Sequence, residues 1–99
     1  MKTITIEGTF TGSVNNSVSL EIFMSNASAN PYDFRKKYYG SFREVITDLV
    51  DDSDYYIDFS GYTTGTFNLK ISGDFKSPNP ITDSFENTSF SPGYFIHII

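Results

Sequence analysis

An all-β fold, a single antiparallel β-sandwich of six to eight short strands, is predicted by three features of this 99-residue chain. Apolar and polar residues alternate at period two in several separate segments, Gly, Pro, Asn and Asp punctuate those segments, and no strand–helix–strand alternation is visible. A chain this short forms one domain, residues 1–99, and its ten Phe and seven Tyr supply the bulk for a core despite a hydrophobic fraction of only 38%.

The elements follow in order. Residues 3–10 read as a first strand, with Ile4 and Ile6 on one face and Thr3, Thr5 and Glu7 on the other, and Gly8 marks a candidate bulge. After the polar turn 12–16, Val18, Leu20, Ile22 and Met24 alternate with Ser17, Ser19, Glu21 and Phe23. Residues 25–31 are polar loop chemistry, and Pro31 disfavours helix at Asn30. Residues 41–50 admit two readings. Ser41 and Glu44 match a capping box, and Phe42, Val45, Ile46 and Leu49 fall at helical spacing, which gives one short helix near residues 42–50. The β-branched run Val45-Ile46-Thr47 and the β-rich surroundings favour a strand instead.

An acidic turn, Asp51-Asp52-Ser53-Asp54, precedes the clearest alternation in the chain. Tyr55, Ile57 and Phe59 face inward and Tyr56, Asp58 and Ser60 outward; Gly61-Tyr62-Thr63-Thr64-Gly65 reads as a loop with two residues free to take positive φ, and Phe67, Leu69 and Ile71 return as the second arm of a hairpin. Pro78 and Pro80 interrupt the sheet, residues 81–90 hold one or two weak strands, and residues 94–99 form a last strand apolar on both faces. Such a strand is either buried on both sides or an edge covered by another copy.

The order of signals in Ile6-Glu7-Gly8-Thr9-Phe10-Thr11-Gly12, Val18-Ser19-Leu20-Glu21-Ile22, Ser41-Phe42 and Asp48-Leu49-Val50, leading to Asp54-Tyr55-Tyr56-Ile57, resembles that of transthyretin-like sandwiches, the group of carboxypeptidase-regulatory-like and Cna-B-type domains. The resemblance covers residues 4–71. Two departures stand out: Ser53-Asp54 replaces the usual Gly before the Tyr, and no Lys, Asn and acidic set for an isopeptide bond is assignable. It implies a sandwich fold and a non-catalytic, modular role, and it carries no functional residue across.

Composition excludes several function classes. A net charge of −5 argues against nucleic acid as a partner, and no cofactor is expected: with no cysteine and one histidine, zinc sites and histidine-based nucleophilic triads lose most of their parts. The opening residues meet Glu7 before any apolar stretch, so no signal peptide is expected, no run approaches the length of a membrane span, and localisation stays open. His97 shares a face with Phe95 and Ile99 and reads as a hydrogen-bonded structural residue. Asp51, Asp52 and Asp54 offer hard ligands but miss the spacing and the bidentate Glu of a calcium loop. The sequons at Asn15, Asn26 and Asn87 are what an Asn-, Ser- and Thr-rich chain yields by chance.

What remains is binding. Arg35, Lys36, Lys37 and Arg43 lie among Tyr32, Phe34, Tyr38, Tyr39 and Phe42, a candidate interaction segment set against the alternative of an edge strand solvated by its charges. Immediately downstream, Glu44, Asp48, Asp51, Asp52, Asp54 and Asp58 form an acidic block, and paired blocks of opposite sign suit docking to a protein partner or to another copy in a homo-oligomer. Carbohydrate is the alternative ligand: Tyr56 and Tyr62 as exposed platforms beside the hairpin, with Asp58, Asn68 and Lys70 near enough to bond hydroxyls. Tyrosines packed sideways across strands explain the same residues by stability alone.

Overall fold

The computed structural model describes residues 2–12, 14–24 and 33–99, and these form seven strands with no helix. The strands are β1 (Lys2–Thr11), β2 (Asn16–Met24), β3 (Asp33–Tyr38), β4 (Phe42–Leu49), β5 (Asp54–Gly73), β6 (Ile81–Phe90) and β7 (Gly93–His97). The expected loop 25–31, Tyr32 and Asn26 lie outside the described residues.

The seven strands belong to one antiparallel sheet, curled into an open half-barrel. Its organising element is β5, 20 residues long. One side of β5 carries β2 along Tyr55–Thr63 and then β1 along Thr66–Gly73. The other side carries β7 along Asp54–Asp58 and then β6 along Gly61–Ile71. β3 lines β2 and β4 lines β1. The sheet is therefore four long ribbons, three of them interrupted near the level where β5 bends.

This corrects the expected hairpin. Residues 61–65 do not turn the chain back; they are the bend of a continuous strand, and the inward phase of Phe59 runs through buried Thr63 to Phe67 without a break. The two glycines do not adopt positive φ, which occurs instead at Gly12 and Gly73. They serve close approach: a Cβ on Gly61 would strike the Ser17 carbonyl of β2, and one on Gly65 the Thr11 carbonyl of β1. Thr64 fastens the corner, its Oγ1 accepting from the Val14 and Asn15 N–H groups at 3.2 Å each.

Residues 42–49 form a strand and not a helix. Asp48 adopts φ 63° opposite a register shift in β1, so β4 carries one extra residue there and the inward face passes from Phe42 and Ile46 to Leu49. That bulge mimics helical spacing. Gly8 marks no bulge; it pairs regularly with Phe42 and Leu69 and leaves room for the Phe42 and Phe67 rings.

The inner faces of β1, β2, β4, β5 and β7 converge on one core, with Tyr55, Phe59, Phe67 and Phe75 its largest fully buried side chains. Each such side chain contributes about 1.5–3 kcal/mol over leaving it exposed. Phe75 lies in the Pro-containing connection after β5, plugs the core and bridges to Ile98. Asn79 holds that connection by donating to the Gly73 and Phe75 carbonyls at 2.8 and 3.0 Å. The last strand is apolar on both faces but buried on one: Ile96 and Ile98 point in, while Phe95 is 70% exposed.

Candidate functional site

Register across β2, β5 and β7 builds an aromatic row on the outer face. Phe23 pairs with Tyr56, and Tyr56 with Phe95. Their ring centroids are 5.3 and 4.6 Å apart with tilts of 52° and 47°, so the three rings form a corrugated ladder. The Tyr56 ring lies over Gly93, where any Cβ would strike its phenol oxygen. Phe23 is 38% and Phe95 70% exposed, while Tyr56 between them is half-buried and so is not the exposed platform expected of it; the solvent-facing apolar surface comes from the two flanking rings.

The next row toward the corner is charged. Arg35, Glu21, Asp58 and Gly93 are register partners across β3, β2, β5 and β7. Glu21 and Asp58 are like charges directly opposite one another, an arrangement unfavourable in the isolated sheet. Burial, and after it the Glu21 carboxylate, raises the Asp58 carboxyl above the usual range.

The basic segment is divided between the two faces. Lys36 and Tyr38 share the inward register of Leu20 and Val18, whereas Arg35 and Lys37 take the outward register of Glu21 and Ser19. Lys36 is engaged: its ammonium donates to Glu44 Oε1 at 2.8 Å and sits 5.5 Å from the Tyr38 ring centroid. Tyr38 stacks on Phe42 at 3.8 Å and 7°, and burial followed by the Glu44 carboxylate holds its phenol well above the ordinary range. Lys36 first and Tyr38 second hold the Glu44 carboxyl below its ordinary value. Lys37 lies 5.4 Å from the ring centroid of Tyr39, itself 70% exposed in the bend between β3 and β4. Arg43 pairs with Glu7 on β1, away from the others. Arg35, Lys36 and Lys37 border an open depression with Ser19, Leu20 and Glu21, their side chains still divided between the two faces.

The residues proposed for a glycan are likewise dispersed. Tyr56 and Asp58 are outward neighbours, but Tyr62 lies six residues further along the same strand and Asn68 six beyond that, about 20 Å per step at 3.3 Å per residue. The hairpin would have folded them together; the single long strand spreads them out. Phe23 and Phe95, the partners that Tyr56 does acquire, were not singled out from the sequence. Their outward phase was legible, but their adjacency depends on strand order, which periodicity does not encode.

The acidic turn is organised around His97. Its Nδ1 lies 2.7 Å from Asp54 Oδ1 and its Nε2 2.7 Å from Asp52 Oδ1. Asp54 first and Asp52 second raise the imidazole above its ordinary value. Among the described residues no group of three or more His, Cys, Asp or Glu side chains is arranged to hold a metal ion, and no helix is long and apolar enough to cross a membrane. Glu44 and Asp83 occupy the inward registers of Ile6 and Leu69; Glu44 is half-buried there, whereas Asp83, on the β6 edge, stays exposed. No protein-family model matches the chain, and neither a curated protein nor a solved structure does.

Proposed function

We propose that this domain is a non-catalytic association module that docks a second copy of itself or a partner protein through the outer face at Phe23, Tyr56 and Phe95. The observation that carries the reading is the aromatic ladder: the exposed rings of Phe23 and Phe95 flank the half-buried ring of Tyr56, tilted against one another in an otherwise polar face. Contiguous exposed apolar surface rimmed by polar residues marks interaction sites. Interdigitating tilted rings suit the side chains of another protein better than the flat face of a sugar. We also take the two halves of the curled sheet, folded about the β5 corner, as the two layers of a sandwich, the arrangement that the transthyretin-like resemblance implies.

Carbohydrate binding stays as the second reading on one observation, the adjacency of the Tyr56 ring and the Asp58 carboxyl, both half-buried on the outer face. The non-catalytic part rests on composition: one histidine and no cysteine leave few parts for nucleophilic or metal chemistry.

Absolute mass by light scattering at two concentrations and two salt levels tests self-association, and pull-down of a binding protein tests the partner arm. Phe95→Ala should abolish either complex while keeping the wild-type melt within about 0.5 kcal/mol, as surface substitutions do. A complex that survives Phe95→Ala would refute this face as its site.

A further inference from the structure

The chain holds one histidine, and its ring is clamped between two carboxylates. A neutral imidazole carries one N–H and one lone pair. With both nitrogens 2.7 Å from an aspartate oxygen, the neutral ring donates to one carboxylate and turns its lone pair on the other. Only the imidazolium donates to both. We propose that His97 is a proton-operated latch between the C-terminal strand and the turn that leads into β5: closed when protonated, released on one side when neutral.

The latch adds to backbone ties already made there: His97 and Asp54 are partners in the β5–β7 ladder, Ile98 bridges to Phe75, and the Ile99 N–H donates to the Asp74 carbonyl at 3.1 Å. Asp52 sits in the turn with φ 57°, a left-handed conformation uncommon for a residue with a side chain. Its N–H donates to the Ile98 carbonyl at 3.1 Å, and the Ile98 N–H donates to the Ser53 carbonyl at 2.9 Å. The Lys76 N–H donates to the His97 carbonyl at 2.9 Å, which brings the 74–80 connection to the same point. Three charged groups face the ring: Asp54 at the start of β5 and Asp52 in the turn favour the cation, and Lys76 on the connection opposes it. The ring is 31% exposed, so protons reach it from solvent without opening the fold.

The sign follows from the geometry. Because the folded state favours the imidazolium, the latch is fully closed below the unfolded value of about 6.5 and is lost as pH rises through the higher folded value. The window opens at about 6.5 and extends upward from there, on the side where histidine switches operate. Phe95 is two residues away on the same strand and the same face, so release of the strand end loosens the aromatic ladder. The latch stands on the geometry of His97 alone; its control of docking rests on the reading of the ladder given above.

A single histidine makes the test unambiguous. The ring carbon–proton signals of the wild-type domain are titrated by NMR from about pH 5 to about pH 9, with amide exchange of Asp52, Lys76 and Ile98 followed in the same samples. The expected result is a midpoint above about 6.5 and a loss of protection at those amides, beyond the rise in intrinsic exchange, that tracks the ring titration. In His97→Gln the pH-linked step should vanish. A midpoint at or below about 6.5, or amides indifferent to the ring's charge, overturns the latch. Light scattering or partner pull-down across the same range separates the two claims. Amide opening with docking unchanged overturns the control of the face and leaves the latch; no complex at any pH refutes the docking reading while the titration still decides the latch.

Discussion

Alanine at Gly61 tests the most consequential feature of the fold, the continuity of β5 through its bend. Its Cβ would collide with the Ser17 carbonyl oxygen and lie 2.8 Å from both the Ser17 carbonyl carbon and the Val18 Cα. These are backbone atoms of the neighbouring strand, so no rotamer change relieves the contact; β2 has to move away from β5. Overpacking of this kind costs about 1–3 kcal/mol, and each ladder hydrogen bond stretched in the process costs about 1 kcal/mol more. Against this, losing a glycine from the unfolded chain returns about 0.4–1 kcal/mol. The net is a destabilisation of roughly 2 kcal/mol, a fall in melting temperature of about 8–16 °C for a domain of this size. Gly40→Ala is the control. Nothing lies within 4 Å of its Cβ and its φ is not positive, so it should raise stability by about 0.4–1 kcal/mol. The assay is thermal melting by circular dichroism, with backbone NOEs pairing Gly61 with Val18 and Phe67 with Phe10. If Gly61→Ala melted with the wild type, or if the NOEs paired Phe59 with Phe67, the 61–65 segment would be a hairpin turn and the continuous strand would be wrong.

Deleting residues 95–99 removes Ile96 and Ile98, both buried, and the bridge to Phe75. At about 2–5 kcal/mol for each lost isoleucine the deletion consumes most of a typical 5–15 kcal/mol stability, so the cooperative melt should disappear; a truncated chain that keeps it would show β7 to be peripheral. Lys36→Gln should cost at most about 1 kcal/mol, with the difference from wild type shrinking as salt is added, because the pair with Glu44 is partly exposed. The Glu44 carboxyl is held low, so its contribution is present above its ordinary value of 4.5 and is lost as pH falls through the folded value. Lys36→Gln should therefore move the acid end of the stability profile upward in pH; an unchanged acid limb would mean that the pair contributes nothing there.

Strand identity was largely legible because period two survives wherever one face is buried. Ile4 and Ile6, then Val18, Leu20 and Ile22, then Ile57 and Phe59 all point in as their spacing requires. Two local signals misled. Phe42, Ile46 and Leu49 imitate a helix because the left-handed Asp48 inserts one residue and swaps the inward face. Gly61 and Gly65 imitate a turn because glycine is demanded equally by a reversal of the chain and by a neighbouring backbone pressing close, and only tertiary structure distinguishes the two. The candidate site depended on the same missing information. Outward positions of Tyr56 and Asp58 followed from the alternation, but the flanking of Tyr56 by Phe23 and Phe95 follows from β2 and β7 lying on opposite sides of β5.

The open sheet offers two routes to association, and its charges discriminate between them. Along the β3–β4 edge, Lys36 and Glu44 occupy inward registers; along the β6 edge, Asp83 does so and accepts the Tyr94 hydroxyl at 2.7 Å. An added strand at either edge would bury these groups, and inward-pointing charge is one of the devices by which edges resist pairing. The bulge at Asp48 bends the β4 edge further, and the left-handed Asn87 interrupts the β6 edge opposite the register shift between Thr63 and Thr66 of β5. The aromatic ladder has no such guard. Association through it joins faces and not edges, so it has no reason to propagate as an endless sheet. Lys36 and Glu44, members of the opposite charge blocks that the sequence sets side by side, already satisfy each other within the domain. Complex formation by the ladder should thus change little between low and high salt; a complex that dissolved with added salt would move the docking site to Arg35, Lys37 and the acidic turn.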